Sequence, residues 1–320
     1  MISRRRNVWT VMAPTPLERY AQCPFRYFSA DVLRLEPVRM PTSDILDVRV
    51  LGTFCHSAMR RCYEMLLPTG WPEKPVTDDT IDWCIESAIE EAAAEVERAH
   101  RTGHYLLWEL AKTSILDVMT AAVDDDTRAY HDAPFSPVAF EVVAQGAIAD
   151  VPGCGAAPLK IRGRVDRVDR RADTHALRII DYKLKIGKSI TPADRHLTQS
   201  AARGYRLQPP FYSGLHVPDH GTARQVQFVF LAPHWATPVS RSTFECEVWS
   251  TEAGTLLRHT LSKLINGIRN GRFFIMPDTY CKTCDYRVAC RREHGPTAWR
   301  TSRAMETREL GALRRLQVDK

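Results

Sequence analysis

The sequence predicts an α/β fold, and three observations support this class. Two segments of alternating apolar and polar residues, 163–169 and 177–183, are typical of β-strands and are separated by polar turn residues at 170–175. Two further alternating segments, Val226 to Leu231 and Phe244 to Trp249, predict two more strands. Long segments with helical periodicity lie before and after these strands, so we expect helices to flank a central sheet.

The first predicted element is a short N-terminal helix. Thr15 is a suitable N-cap, Pro16 suits the first helical position, and Glu18 lies three residues after the cap. This helix should end before Cys23-Pro24, because proline interrupts helical hydrogen bonding. A second helix is predicted from Gly52 to about Leu67, where Pro68 follows.

Residues 77–132 are predicted to form a helical insertion of two long helices, from about Thr80 to His100 and from about Tyr105 to His131. The acidic runs Glu90-Glu91 and Asp124 to Asp126 are interpreted as solvated faces of these helices. A strand from Val138 to Val143 follows the insertion.

The C-terminal third predicts two more helical segments. Residues Glu252 to Asn270 form a helix that Gly271 closes. Beyond Pro296, apolar residues alternate with charges in a tail that is interpreted as a surface or partner-binding helix: Met305, Leu310, Leu313 and Leu316.

The predicted strand pair carries the most informative side chains. Symmetrical pairing about Asp173-Thr174 places Asp166 opposite Asp181. Because side chains alternate along a strand, Asp181 and Lys183 share one face while Tyr182 points away. Two acids and a lysine on one patch suit a divalent cation held between the acids, and an ordinary surface ion pair is the alternative.

Composition narrows the class of protein. The chain has 320 residues, 44% hydrophobic and 26% charged, which is enough for a packed globular core. Its net charge of +6 is compatible with nucleic acid binding. No apolar run is long enough for a membrane span, and the start at Arg4-Arg5-Arg6 lacks the apolar core of a signal peptide, so we expect a cytoplasmic protein without a membrane partner. Nine cysteines, an odd number, favour thiolate ligands over disulfides.

One apparent nucleotide-binding motif is rejected. Gly187-Lys188-Ser189 resembles the end of a phosphate-binding loop, but that motif requires glycine at position 182, which is tyrosine. Pro192 also interrupts the helix that should follow. The sequence therefore predicts no nucleotide hydrolysis by this chain.

The strand pair resembles a known family. Gly163-Arg-Val-Asp166-Arg-Val-Asp169, followed by Ile179-Ile-Asp181-Tyr-Lys183, is similar to the RecB-like branch of the PD-(D/E)XK nuclease superfamily. The resemblance implies that Asp166 and Asp181 bind Mg²⁺ or Mn²⁺ and that Lys183 is catalytic. It also implies a restriction-endonuclease-like α/β fold, with a mixed central sheet flanked by helices.

Two further motifs fit this resemblance, each with a plainer alternative, and Glu141 is a third position to consider. Gly52-x-x-x-His56 is similar to the family's histidine motif and implies a metal ligand or phosphate contact, whereas a lone helical histidine is usually structural. Gln208-x-x-x-Tyr212 resembles a motif beside the metals, and its two side chains share a helical face; a polar glutamine and a core tyrosine are the alternative. Glu141 is either a surface residue or an accessory metal ligand.

The cysteine spacing adds a second resemblance. Cys281-x-x-Cys284 and Cys290 supply three thiolates near the C-terminus, and Cys23-Pro-Phe resembles the N-terminal cluster cysteine of AddB-type nuclease domains. The set implies a [4Fe–4S] cluster that staples the N- and C-terminal segments together. A structural zinc site on the same four thiolates is the alternative.

The resemblance covers residues 15 to 292 approximately and implies one nuclease domain over 1–320. Its expected parts are cluster segments at 15–35 and 272–292, the insertion at 77–132, a catalytic core at 138–271 and a tail at 296–320. The implied activity is metal-dependent exonucleolytic cleavage of DNA, on single strands or frayed ends, in repair or recombination, with a helicase as partner. Two alternatives are an iron–sulfur nuclease of the CRISPR-adaptation type and a catalytically idle DNA-binding scaffold.

Overall fold

The computed structural model describes residues 11–37, 46–154, 157–186, 190–233 and 236–318. The basic start at Arg4-Arg5-Arg6 and the Gly187-Lys188-Ser189 segment lie outside the described residues. No helix among the described residues is long and apolar enough to cross a membrane.

The N-terminal arm is helical, as predicted. It consists of α1 (Pro14–Gln22), α2 (Pro24–Tyr27) and a π-helical turn at Phe28–Val32. The predicted N-cap at Thr15 is wrong, because α1 begins at Pro14 and the extended residue before it, Ala13, is the N-cap. Proline at the first helical position has a φ angle already suited to the helix and lacks the N–H that would be left unpaired there.

A helical layer follows, formed by α3 (Val48–Leu66), α4 (Asp78–Ala99) and α5 (Tyr105–Asp132). The two long helices of the insertion are confirmed. Helix α3 begins four residues before the predicted Gly52, because the Asp47 side chain accepts a hydrogen bond from the Arg49 N–H and caps it there.

The described residues form one sheet of six strands: β1 (Phe135–Ile148), β2 (Leu159–Arg171), β3 (Leu177–Leu184), β4 (Leu215–Val217), β5 (Gly221–Leu231) and β6 (Val239–Glu245). Strands β3 and β5 pair in parallel and the other pairs are antiparallel, so the sheet is mixed, as predicted. Each of β1 to β5 pairs with at least two of the others, and β6 extends the sheet from β5.

The last predicted strand is misplaced. Strand β6 ends at Glu245, and residues Cys246–Ser250 form a 3₁₀ turn where the alternating pattern predicts strand. The Trp249 indole N–H donates to Ser213 Oγ over 2.8 Å. This bond and the packing of Val248 and Trp249 against the core direct the chain off the sheet edge and into the next helix.

Short helices α6 (Pro192–Arg195), α7 (Leu197–Ala202) and α8 (Gln208–Ser213) connect β3 to β4, and the long α9 (Glu252–Arg269) follows β6. Helix α9 is followed by Gly271 with a φ of 66°, as predicted. The chain finishes with α10 (Gly295–Arg303) and α11 (Met305–Leu313).

Two hydrophobic cores cover the two faces of the sheet. One contains Val165, Val168 and Ile179 together with residues of α1, α8 and α9. The other contains Ile180 and Tyr182 together with residues of α3, α4 and α5. Side chains of β3 therefore enter both cores, and Tyr182 lies in the helical-layer core, away from Lys183, as the alternation predicts.

The C-terminal tail belongs to the packed structure rather than to a free surface helix. Leu310 and Leu313 are buried in the core that contains α1. The Arg314 guanidinium donates to the carbonyl oxygens of Ala21 and Gln22 at the end of α1 and, over 2.7 Å, to Tyr280 Oη. The apolar periodicity of the tail therefore serves intramolecular packing.

A buried charge network contradicts part of the solvated-face interpretation. Glu90, Glu91 and Asp124 are exposed. Asp126, in contrast, is buried between α5 and the sheet and binds Arg167 at 2.6 Å and Arg241 at 2.7 Å. The sequence of a helix does not reveal whether one of its acidic side chains is paired with an arginine from a distant strand.

Candidate active site

The strand pair has the register that the sequence predicts. Val168 pairs with Ile179 and Asp169 with Arg178, and the pairing ends at Arg167 and Ile180. The same register extended by one position places Asp166 opposite Asp181. The Tyr182 N–H donates to Asp166 Oδ2 over 2.8 Å. The carboxylate of Asp166 is thus fixed against the backbone of the strand that carries Asp181.

Helix α3 and strand β1 bring two more ligand groups to Asp166. His56 Nδ1 lies 3.3 Å from Asp166 Oδ2. Strand β1 pairs with β2 and carries Glu141, and ligand atoms of His56, Glu141 and Asp166 all lie within 4.8 Å of one another. A nitrogen and carboxylate oxygens at this spacing suit a divalent cation.

The backbone of Glu141 has an unusual conformation. Its φ is 51°, in the left-handed region that residues other than glycine rarely adopt. Its carboxylate binds Arg164 Nε at 2.6 Å. Strained backbone of this kind concentrates at functional sites, where surrounding packing holds it in place.

Asp181 is almost fully buried, with 3% of the residue exposed. Its Oδ2 lies 2.5 Å from Lys183 Nζ but accepts no hydrogen bond of regular geometry. Burial raises the pKa of Asp181, the Lys183 ammonium acts against this, and the negative charge of Asp166 raises it again. This oxygen of Asp181 is buried, lacks a regular hydrogen bond and lies near a second acid. It is therefore available to bind a cation.

Lys183 lies on the same strand face as Asp181, as predicted, and is held on three sides. Its ammonium binds Asp181, donates to Gln208 Oε1 over 2.7 Å and lies 4.7 Å from the centre of the Phe228 ring. These contacts orient the ammonium beside the two acids.

Helix α8 brings Gln208 and Tyr212 to this point, and the two side chains share a face, as predicted. Gln208 Nε2 lies 3.4 Å from Tyr212 Oη, which donates to the Arg164 carbonyl oxygen over 3.0 Å. Burial raises the pKa of Tyr212, so its phenol is neutral and can donate. Gln208 contacts the lysine directly, whereas Tyr212 braces the helix against β2.

His56 is ionisable where it faces Asp166. Burial lowers the pKa of His56, but the hydrogen bond to Asp166 and its negative charge outweigh burial and leave the pKa above its usual value. The imidazole ring also meets the Tyr182 ring edge-on, with ring centres 6.2 Å apart. The histidine is therefore a member of the acidic cluster, and the structure does not bury it in the helical core.

Sequence reasoning missed one residue beside the site. Glu18 Oε1 accepts hydrogen bonds from the backbone N–H groups of Leu207 and Gln208 over 2.6 and 3.2 Å. The sequence pattern assigns Glu18 only a local role, in capping the first turn of its own helix. A partner 189 positions away leaves no local signal in the sequence.

A groove leads to the acids and has arginines at its rim. It is lined by α3, by the first two strands and by Glu95 of α4. Its lining includes His56, Glu141 and Asp166 beside Arg49, Arg60 and Arg164. Gly52 also lines it, and a side chain added there would meet no atom within 4 Å. The predicted glycine and histidine therefore face one open, polar channel.

The four cysteines predicted to act together line one small cavity. Cys23 approaches from the N-terminal arm, and Cys281, Cys284 and Cys290 from the segment after α9. Burial raises the pKa of the Cys23 thiol, and the neighbouring Cys281 raises it further. For Cys290, burial again raises the pKa most, and the other three thiols add to it.

The surroundings of this cavity suit an anionic group. Arg26, Arg287 and Arg292 line it together with the four thiols. The backbone N–H of Asp278 donates to Cys281 Sγ over 3.3 Å. The five remaining cysteines, Cys55, Cys62, Cys84, Cys154 and Cys246, do not line it.

Comparison with known proteins finds one family whose model spans the residues of both sites. A family model described as the PD-(D/E)XK nuclease superfamily matches residues 11–291. The chain is 30% identical over 184 residues to an ATP-dependent helicase/deoxyribonuclease subunit from Desulforudis audaxviator, a match that covers 54% of this chain and 15% of that protein. It is 29% identical over 208 residues to the protein of the same name from Moorella thermoacetica, covering 61% and 17%. The matched region is thus a small part of these much longer relatives.

Proposed function

We propose that this chain, which belongs to the PD-(D/E)XK nuclease superfamily, is a metal-dependent deoxyribonuclease that degrades DNA from single-stranded or frayed ends. The observation that carries the proposal is that Asp166 lies with His56 and Glu141 in one arginine-lined groove, while the neighbouring strand holds Asp181 and Lys183 2.5 Å apart.

The donor set fits Mg²⁺ or Mn²⁺. Asp166 and Asp181 would hold the cation, with His56 and Glu141 completing the site, because hard divalent cations prefer carboxylate oxygens. When bound, such a cation would polarise the phosphate and lower the pKa of a coordinated water. Its positive charge also offsets the mutual repulsion of the two acids.

Lys183 has the second role at the site. Its ammonium can bind a phosphoryl oxygen and stabilise the negative charge that develops there during cleavage. Gln208 Oε1 and Asp181 both hold the ammonium, so Lys183 does not need to reorganise when the substrate binds. Tyr212 braces this glutamine through α8 and the Arg164 carbonyl oxygen.

The groove suits a DNA backbone more than a particular base sequence. Arg49, Arg60 and Arg164 line it, and guanidinium groups bind phosphate oxygens well. Arg164 is also bound to Glu141, which orients it in the groove. Contacts of this type position a strand without reading its bases.

We further propose that the four-cysteine cavity holds a [4Fe–4S] cluster. Four thiols from both ends of the chain, with three arginines and a backbone N–H directed at one sulfur, fit an anionic cluster. Zinc on the same thiolates is the competing occupant.

We propose a place in DNA repair or recombination beside a helicase, and the relatives' names support the helicase. Both relatives are named as subunits of an ATP-dependent helicase/deoxyribonuclease. This chain covers 15–17% of their length, so we propose that a helicase is its partner. The complete set of acids and lysine disfavours an idle scaffold, since binding alone does not require it.

Cleavage of uniformly labelled DNA tests the proposal. Anaerobically purified protein is incubated with linear and circular single-stranded DNA and with blunt and frayed duplexes, in Mg²⁺, Mn²⁺ or EDTA. We expect metal-dependent loss of linear single strands, sparing of the circle, and no cutting by Asp181→Ala. If the folded protein cuts no substrate with either metal, or if Asp181→Ala cuts as fast, the proposed function is wrong.

A further inference from the structure

Glu18 connects the N-terminal arm to the lysine of the proposed active site. It is partly buried in α1, and its Oε1 accepts hydrogen bonds from the Leu207 and Gln208 N–H groups. Burial raises the pKa of this carboxyl, while these N–H groups and the Lys183 charge act against it. Both of these hydrogen bonds join α1 to a distant segment, and neither caps the start of α1 itself.

Helix α8 has no cap of its own. Leu207, at its N-cap position, makes no side-chain capping bond. The first N–H groups of any helix lack partners within the helix. In α8, Pro209 and Pro210 carry no N–H, so Leu207 and Gln208 are the donors that need an acceptor at this end. Glu18 accepts from both.

The hydrogen bonds continue from that helix start to the lysine. Gln208 donates its backbone N–H to Glu18 and offers its side-chain oxygen to Lys183 Nζ at 2.7 Å. We propose that Glu18 is a positioning residue for Lys183, acting through the start of α8 and the Gln208 side chain. This inference deepens the proposed nuclease function and rests on it.

The same arrangement links the cysteine cavity to the lysine. Glu18 and Cys23 lie five residues apart on the N-terminal arm, and the Cys23 N–H donates to the Arg19 carbonyl oxygen to close α1. Leu17 and Tyr20 are buried, so the helix is a packed element between the two sites. A group that fixes Cys23 would therefore also fix the position from which Glu18 holds α8.

Four variants test the inference. Glu18→Ala removes the acceptor, and Glu18→Gln keeps a carbonyl oxygen at the same reach. Tyr20→Phe is the matched control, because it removes another hydrogen bond of α1, from Tyr20 Oη to the Arg272 carbonyl oxygen at 2.7 Å. Glu18→Asp keeps the charge but shortens the side chain, and takes the place of Glu18→Ala if that variant does not fold.

Each variant is measured in three ways: turnover of end-labelled single-stranded DNA, affinity for that DNA, and hydrogen exchange of the peptide that contains Leu207 and Gln208. We expect Glu18→Ala to lose exchange protection and about 10²-fold in turnover with unchanged DNA affinity, as misplacement of a catalytic group predicts. Glu18→Gln should recover most of both losses, and Tyr20→Phe should show neither.

Two results would overturn the inference: unchanged exchange protection in Glu18→Ala, or a loss of turnover no larger than that of Tyr20→Phe. If wild-type protein cuts no DNA, the proposed function fails. The exchange measurement then decides separately whether Glu18 holds the start of α8.

Discussion

Asp181 and Lys183 are two residues apart on one strand face, but we propose different catalytic roles for their side chains. Asp181→Ala removes a proposed metal ligand, so we expect it to abolish cleavage and weaken Mn²⁺ binding, and Asp166→Ala should do the same. Lys183→Ala leaves both carboxylates, so it should bind metal and DNA while cutting about 10²–10³ times more slowly, as loss of one electrostatic contact predicts.

End-labelled DNA cleavage and Mn²⁺ titration, measured side by side on each variant, separate these two roles. Lys160→Ala is the control, since Lys160 is an exposed lysine on β2. Equal cutting by Lys183→Ala and wild type would show that the lysine has been assigned wrongly.

Asp126 illustrates a second residue-scale effect, in stability rather than cleavage. Burial raises the pKa of Asp126, but the charges of Arg167 and Arg241 outweigh burial and hold the pKa far below its ordinary value of 3.8. Asp126→Asn removes one of the two carboxylates that each arginine binds, while Asp169 stays on Arg167 and Asp125 on Arg241. It should lower the free energy of unfolding by about 1–3 kcal/mol at neutral pH, the range for a buried polar group that loses its partner.

The pH dependence of this effect follows from the direction of the shift. A carboxyl whose folded-state pKa is depressed contributes stability above its unfolded pKa and loses it as pH falls further. The difference between wild type and Asp126→Asn should therefore shrink below pH 3.8. Urea unfolding at several pH values measures it, with the exposed Asp124→Asn as control, and a difference that stays constant into acid would contradict the assignment.

Among the elements, the N-terminal arm is the one that depends most on contacts distant in sequence. Its Cys23 shares a cavity with Cys281, 258 positions further along the chain (281 − 23). Arg314 binds the carbonyl oxygens at the end of α1 in the same arm. Ligands that close so long a loop strongly favour the folded state.

We therefore expect Cys23→Ser to lose bound iron and sulfide and to lower the free energy of unfolding by about 2–5 kcal/mol, the range for a lost covalent cross-link. Iron, sulfide and zinc analysis of anaerobic protein, followed by thermal unfolding, measures both effects. Cys154→Ser lies outside the cavity and should change neither. If the wild-type protein contains stoichiometric zinc and no iron, the cluster proposal is wrong and the zinc alternative is supported.

For the whole molecule, the net charge is small, and we expect DNA binding to depend on the few basic side chains that line the groove. The chain carries +6, whereas three arginines line the groove beside the acids. If each contacts one phosphate of single-stranded DNA, the logarithm of the binding constant should fall with the logarithm of salt concentration with a slope of about −2.

Fluorescence anisotropy across a salt series measures this slope in metal-free buffer. Arg60→Ala should reduce the steepness by about 0.7 and weaken binding equally for all sequences, because phosphate contacts read no bases. Arg128→Ala, on α5 away from the groove lining, is the matched control. Binding that ignores salt, or that depends on one base sequence, would contradict a backbone-binding groove.

Local sequence patterns were sufficient to predict the features that lie within one helix, one strand or one hairpin. The alternation and polar turn of the β2–β3 pair set its register, which places Asp166 opposite Asp181 and turns Tyr182 away from Lys183. Helical periodicity located the insertion and α9 to within about two residues. These features follow from side-chain direction, which neighbouring residues encode.

Contacts between elements that are distant in sequence could be learned only from the tertiary structure. The parallel pairing of β3 with β5, the left-handed turn at Glu141, the burial of Asp126 and the hold of Glu18 on α8 each depend on segments that are distant in the chain. An acid has the same local pattern whether it faces water, a buried arginine or the start of another helix. Its role is set by the groups that packing brings to it, and no periodicity in the sequence records them.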